Sequence, residues 1–196
     1  MNQRSLISVT IAAVAVIVAG ALLWYRFGPE SRRVQEASTS PITGKATVGQ
    51  PAPSFEVSTT DGLFNLDSAT KPVFLEVFAT WCPHCQRETA VIDRLYHNYG
   101  SRVAFVGVSG SGTAMDGTSA ASQLDVLAWV RRFNVQYPVA YDPLLNVANL
   151  YLQNGFPTFA VIGRDKRVSY LSSGEVSYQD LSAQINKVLR AAPARS

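Results

Sequence analysis

The chain has 196 residues, 47% of them hydrophobic, and a formal net charge of +3. That length allows one domain of ordinary size, and so small a charge, without a basic stripe interleaved with aromatics, argues for no nucleic-acid partner. Two cysteines are too few for the disulfide scaffold of a small secreted domain.

After a stub at residues 1–5, the run "LISVTIAAVAVIVAGALLWY" at 6–25 carries no charge and ends on Trp24 and Tyr25. About 20 apolar residues at ~1.5 Å rise span a ~30 Å hydrocarbon core. A cleaved signal peptide has a shorter apolar region, about 7 to 15 residues, and this run continues past the small residues Val18-Ala19-Gly20. The expectation is an uncleaved transmembrane anchor at 6–27. Its orientation is set by two conflicting signals. Arg4 precedes the span and Arg26, Arg32 and Arg33 follow it, which by positive charge would keep the body inside; the cysteine chemistry below argues for the outside and is given more weight. Residues 28–48 are rich in Ser, Thr, Gly, Pro and charge without apolar periodicity, and read as a flexible tether.

The body, expected over 49–192, opens with "FEVSTTDGLFNL", which alternates around Asp61-Gly62 as a hairpin does. "PVFLEVFA" at 72–79 is a nearly continuous apolar run, as in a central strand covered on both faces. The next segment sets Val91, Ile92, Leu95, Tyr96 and Tyr99 at helical spacing. "RVAFVGVS" is a second buried strand. "SQLDVLAWVRRF" places Ser122 and Asp125 in capping-box spacing ahead of a helix with Val126, Trp129, Val130 and Phe133 on one face. "FPTFAVIG" and "RVSYLS" are strands joined at Arg164-Asp165, and a last helix opens at Ser177 with Leu181, Ile185, Val188 and Leu189 inward. The order predicts an α/β domain with a central mixed sheet flanked by helices.

Both cysteines lie in "LEVFATWCPHCQRE", two residues apart. A structural zinc site wants four Cys/His ligands, usually as two spaced pairs; beyond Cys82 and Cys85 there are only His84, between them, and His97, so no metal site is expected. A bridge across two residues closes a very short loop and stabilises little, which makes the pair a poor staple and a good redox centre. Pro83 suits the first position of a helix, so Cys82 sits at a helix N-terminus, where free N–H groups and the macrodipole favour a thiolate. Cys85, one turn on, is more buried. Glu76, in the middle of a strand covered on both faces, is costly to ionise and has a raised pKa, so it can take a proton near neutral pH. The alternative for Glu76 is a surface-facing position on a strand edge. His84 can donate to, or when charged stabilise, a Cys82 thiolate, which would make the disulfide more oxidising.

"FATWCPHC" resembles the active site of the thioredoxin superfamily. The body as a whole resembles the membrane-tethered TlpA/ResA group of bacterial thiol-disulfide oxidoreductases, through "PAPSFEV", "WCPHCQRE", "VGVS" and "GFPTFAVIGRDKRV". The resemblance implies a thioredoxin-like fold and a cis peptide before Pro157. It also implies a substrate groove bordered by Trp81, Pro83, Phe156, Pro157 and Thr158, and a buried acid at Glu76 that serves Cys85. Phe156 is bulkier than the residue the group usually carries there. The Pro-His pair is more like that of the periplasmic disulfide oxidase, so scaffold and dipeptide point in opposite directions. The loop at 109–122, rich in Gly, Ser and Ala, is expected at the active-site edge, either shaping substrate access or as slack.

The sequence therefore predicts a single-pass protein of the bacterial cell membrane with an extracytoplasmic catalytic domain. It exchanges disulfides with protein thiols through Cys82 and Cys85, needs no cofactor beyond that redox-active pair, and passes electrons to or from a membrane redox partner. The balance leans to disulfide formation or isomerisation, with a reductase serving cytochrome c biogenesis as the alternative. A non-enzymatic thiol adaptor or metal carrier is the rival from another class.

Overall fold

The computed structural model describes residues 44–191. The expected stub, the anchor at 6–27 and most of the tether lie outside the described residues; within them, no helix is long and apolar enough to cross a membrane. Among the described residues the strands are β1 (Glu56–Thr59), β2 (Gly62–Asn65), β3 (Val73–Phe78), β4 (Ala104–Ser109), β5 (Val139–Tyr141), β6 (Thr158–Ile162) and β7 (Val168–Ser173). The helices are α1 (Pro83–Tyr99), α2 (Gln123–Phe133), α3 (Asn146–Tyr151) and α4 (Tyr178–Arg190).

The strands form one mixed sheet in the order β2-β1-β5-β4-β3-β6-β7. β3, β4 and β5 run parallel, and β6, β7, β1 and β2 complete the sheet antiparallel to their neighbours. Parallel neighbours need crossovers, which α1 and α2 supply. All six residues of β3 are buried, which is why it reads as an apolar run rather than an alternating one.

Side chains along a strand alternate between faces. Phe74 and Phe78 of β3 join the core beneath α1, α2 and α4, with Ile92, Leu95, Trp129, Leu181 and Ile185. Val73, Leu75 and Val77 join the opposite core, with Val147, Ala148 and Tyr151 of α3. Glu76 is therefore on the same face as Phe74 and Phe78, the face that also receives Cys85.

Two local expectations are corrected. The β1–β2 hairpin closes on the pair Thr59 and Gly62, so its loop is Thr60-Asp61, one residue earlier than expected; Gly62 takes φ +105°, a conformation that a Cβ would strain. Ser122 caps α2 by accepting the Asp125 N–H at 3.2 Å, but the Asp125 carboxylate does not reach back to complete a capping box. It accepts from the Thr80 hydroxyl (2.7 Å) and the Met115 N–H (2.9 Å). β5 and α3 had no counterpart in the sequence reading. One is three residues long, and the other is a six-residue helix whose N-cap, Leu145, has φ +55° and no capping side chain, so neither carries a periodic or capping signal.

Candidate active site

From the end of β3 the chain turns through Ala79, Thr80 and Trp81, with the Cys82 N–H bonded to the Ala79 carbonyl at 3.1 Å. Cys82 is the N-cap of α1 and Pro83 opens the helix. The first turn of α1 contains no acidic residue, so nothing on the helix itself offsets the positive end of its dipole at Cys82. Both cysteines are free thiols. Cys82 is 4% exposed and Cys85 0%, the order expected of an attacking and a resolving thiol. The Cys82 thiol donates to the Phe156 carbonyl at 3.7 Å, and the Phe156–Pro157 peptide is cis. Burial, reinforced by the nearby Glu76 charge, pushes the Cys85 thiol well above its ordinary pKa.

Glu76 is wholly buried, and β3 is central, so the strand-edge alternative falls. Burial raises its pKa to about 8 against the opposing effect of a hydrogen bond from Tyr137. That bond runs from the Tyr137 hydroxyl to Oε2 at 2.8 Å, while Oε1 has no partner. Register pairs Glu76 with Gly107 of β4. A Cβ at Gly107 would stand 2.9 Å from Tyr137 Cε2 and 3.4 Å from Glu76 Oε2, so the glycine is what lets the tyrosine ring lie across β4. Neither Tyr137 nor Gly107 was singled out from the sequence. Glu88, one turn after Cys85, was also missed. It is 4% exposed, burial raises its pKa to about 7, Oε1 accepts the Val176 N–H at 3.0 Å, and Oε2 is unpartnered.

His84 is turned to the outside of the helix, its side chain 60% exposed. Its Nδ1 lies 2.7 Å from Glu175 Oε1 and 2.8 Å from Arg87 Nη2. One protonation state cannot serve both contacts. Arg87 already donates to Glu175 Oε1 through Nε at 2.8 Å and through Nη2, so the proton belongs on Nδ1, donated to the carboxylate. The His84 and Arg87 hydrogen bonds hold the Glu175 carboxyl below its usual pKa.

The aromatic border is assembled around Trp81, which is 38% exposed. Its ring meets Phe156 edge-on, centroids 6.1 Å apart, and its Nε1 donates to Ser111 Oγ at 2.9 Å. The loop at 109–122 is therefore not slack. A bridge pairs Thr113 with Ala120, Asp116 accepts the N–H groups of Thr118 and Ser119, and Asp125 ties the loop to Thr80. Pro83 is exposed, Pro157 buried. Thr158, expected at the groove, is fully buried; its hydroxyl donates to the Gly155 carbonyl and accepts the Gln153 N–H, so its side chain holds the turn ahead of Pro157 and lines no groove. A groove of about 410 Å³ does run beside the motif, between His84, Phe156 and Glu175. His97 is exposed near the end of α1, as expected.

A mixed sheet with a Cys-x-x-Cys pair at the start of the helix that follows its central strand defines a thioredoxin-like thiol-disulfide oxidoreductase. The Redoxin family model matches residues 47–189, and the chain belongs to that family. Thiol-disulfide oxidoreductase ResA of Bacillus anthracis is 28% identical over 146 residues, covering 74% of this chain and 80% of that protein. ResA of Geobacillus kaustophilus is 24% identical over 192 residues, covering 95% and 97%. Among solved structures, a Chlorobium tepidum protein provisionally named thiol:disulfide interchange protein DsbE superposes with a TM-score of 0.64 at 23% identity, over 74% of this chain and 99% of that one. The chain is thus an enzyme of the ResA/TlpA type.

Proposed function

We propose that the enzyme works in the reducing direction, as a membrane-anchored, extracytoplasmic reductase of protein disulfides. The observation that carries this reading is the burial of Cys85 together with Glu76. A resolving thiol held well above its ordinary pKa gains nothing from ionisation near neutral pH. On the Cys85 side the dithiol is not stabilised by ionisation, and that favours a low reduction potential.

The cycle follows from the positions of the groups. The Cys82 thiolate attacks one sulfur of a substrate disulfide; that S–S bond breaks, a mixed disulfide forms, and the departing substrate sulfur takes up a proton. Cys85 then gives its proton to the Glu76 carboxylate, attacks Cys82 Sγ, and expels the second substrate sulfur. Two electrons have passed to the substrate, and a redox partner in the membrane restores the dithiol. The Trp81–Phe156 edge and the Phe156-Pro157 segment border the approach of the substrate chain, and no bound cofactor takes part. Substrates of this chemistry include apocytochrome c cysteines, which must be reduced before haem attachment; the resemblance to ResA proteins supports that assignment. The apolar run at 6–25 supports the anchor, and the resemblance to the membrane-tethered TlpA/ResA group supports an extracytoplasmic domain.

The opposite direction rests on the Pro83-His84 pair. It would require His84 to serve Cys82, whereas His84 Nδ1 is engaged by Glu175. The deciding measurement is the reduction potential of the Cys82–Cys85 pair against glutathione. A value near about −270 mV or lower fits a reductant, and one between about −120 and −180 mV would make the protein a donor of disulfides.

A further inference from the structure

The carboxylate that meets His84 is not part of the active-site helix. It comes from the connection between β7 and α4, 91 residues along the chain, and its backbone is fastened on both sides. The Gly174 N–H donates to the Pro157 carbonyl at 2.8 Å, with Gly174 at φ +86°. On the other side, the Val176 N–H donates to the buried Glu88 of α1 at 3.0 Å. Glu175 is thereby held between the Pro157 turn and the second turn of α1. His84 and Arg87, three residues apart and so neighbours on the helix surface, both converge on its Oε1.

We propose that Glu175 is a positioning residue that holds the His84 ring away from Cys82 and so keeps the cysteine pair reducing. Two effects act with the same sign. The Nδ1 proton given to Glu175 is withheld from the Cys82 sulfur, and the carboxylate places a negative charge at the helix start, where α1 has no acid of its own. Both disfavour a thiolate at the N-cap relative to the disulfide. The family's scaffold and the oxidase-like dipeptide cease to conflict, because the dipeptide's histidine is engaged by a residue outside the motif. The inference rests on the reading of Cys82–Cys85 as the redox centre.

The test is a glutathione titration of the full-length chain in detergent. In it the enzyme disulfide and two glutathione thiols exchange two electrons and two protons to give the dithiol and glutathione disulfide. Four proteins are compared: wild type, Glu175→Gln, His84→Ala and the double variant. Glu175 is a surface side chain, so the substitution leaves the core intact. Glu175→Gln is expected to shift the equilibrium toward the dithiol by about tenfold, which corresponds to a potential about 30 mV higher. In the His84→Ala background the same substitution is expected to shift it by about threefold or less, the part owed to the carboxylate charge at the helix start alone. An unchanged equilibrium in the single variant overturns the inference. So does an equal shift in both backgrounds, which would make Glu175 a through-space charge acting without the histidine. A wild-type pair that does not exchange with glutathione overturns the redox reading and this inference together, whereas a wild type that titrates normally beside an unresponsive variant overturns this inference alone.

Discussion

The Tyr137 hydroxyl donates a 2.8 Å hydrogen bond to Glu76 Oε2 from a position 61 residues further along the chain, and neither side chain reaches solvent. One carboxylate oxygen is thus satisfied and the other left without a partner, in the same core that holds Cys85. A buried acid with a pKa of about 8 is protonated in roughly equal measure with its anion at the pH where thiols exchange, so it can both accept and return a proton.

The first expected outcome concerns rate against pH. The resolving step needs Glu76 as an anion, so turnover of a protein disulfide should rise with pH through a limb centred near 8. Glu76→Gln should lose that limb and slow the step by about 100-fold, within the range for general-base catalysis. Stopped-flow tryptophan fluorescence between pH 6 and 9 reads both.

Stability should follow the same group with a definite sign. The folded pKa of Glu76 lies above its unfolded value of 4.5, so between those pH values the folded state holds a proton that the unfolded state has lost. Its contribution is complete below pH 4.5 and disappears as pH rises through about 8. Glu88, raised to about 7, acts in the same direction over a narrower window. Urea unfolding should therefore show stability falling by a few kcal/mol from pH 5 to pH 8, and Glu76→Gln should flatten most of that slope.

Tyr137→Phe removes the one hydrogen bond that lowers the Glu76 pKa. The rate limb should move to higher pH, and stability above pH 8 should fall by about 1–3 kcal/mol as a buried carboxylate oxygen loses its donor. Gly107→Ala should reproduce the displaced limb with Glu76 and Tyr137 both left in the sequence, because the added methyl occupies the space of the tyrosine ring.

The two cysteines should behave asymmetrically. Cys85→Ser, mixed with a disulfide-bearing protein, should accumulate a covalent adduct through Cys82 that dithiothreitol releases. Cys82→Ser should accumulate none, since Cys85 is fully buried. A non-reducing gel distinguishes them, and an adduct formed by Cys82→Ser would assign the attack to the wrong thiol.

Asp125→Ala removes the acceptor shared by Thr80 and the Met115 N–H. The expected cost is about 1–3 kcal/mol, together with faster proteolysis within 111–121, where the loop loses its tie to the active-site turn.

What could be read along the chain was what local chemistry encodes. Pro83 after Cys82 marks a helix start, the run "VFLEVF" marks a central strand, and Glu76 within that run is expected to be buried and raised, with a strand-edge position as the alternative that only the fold removed. The spacings of Ile92, Leu95 and Tyr99, and of Leu181, Ile185 and Val188, mark the faces of α1 and α4. Each of these signals sits within one or two turns of a helix or one strand, where backbone geometry alone decides which side chains share a face. The partners of the site were not legible in this way. Tyr137 reaches Glu76 because register sets Gly107 beside it. Asp125 leaves its capping box for Thr80, 45 residues away. Glu175 meets His84 because the β7–α4 connection is fastened to Pro157 and Glu88. No periodicity links residues so far apart in the chain. Their meeting is fixed by strand order and crossover, so the cysteine pair is announced by its own motif while the groups that tune it come into view only with the fold.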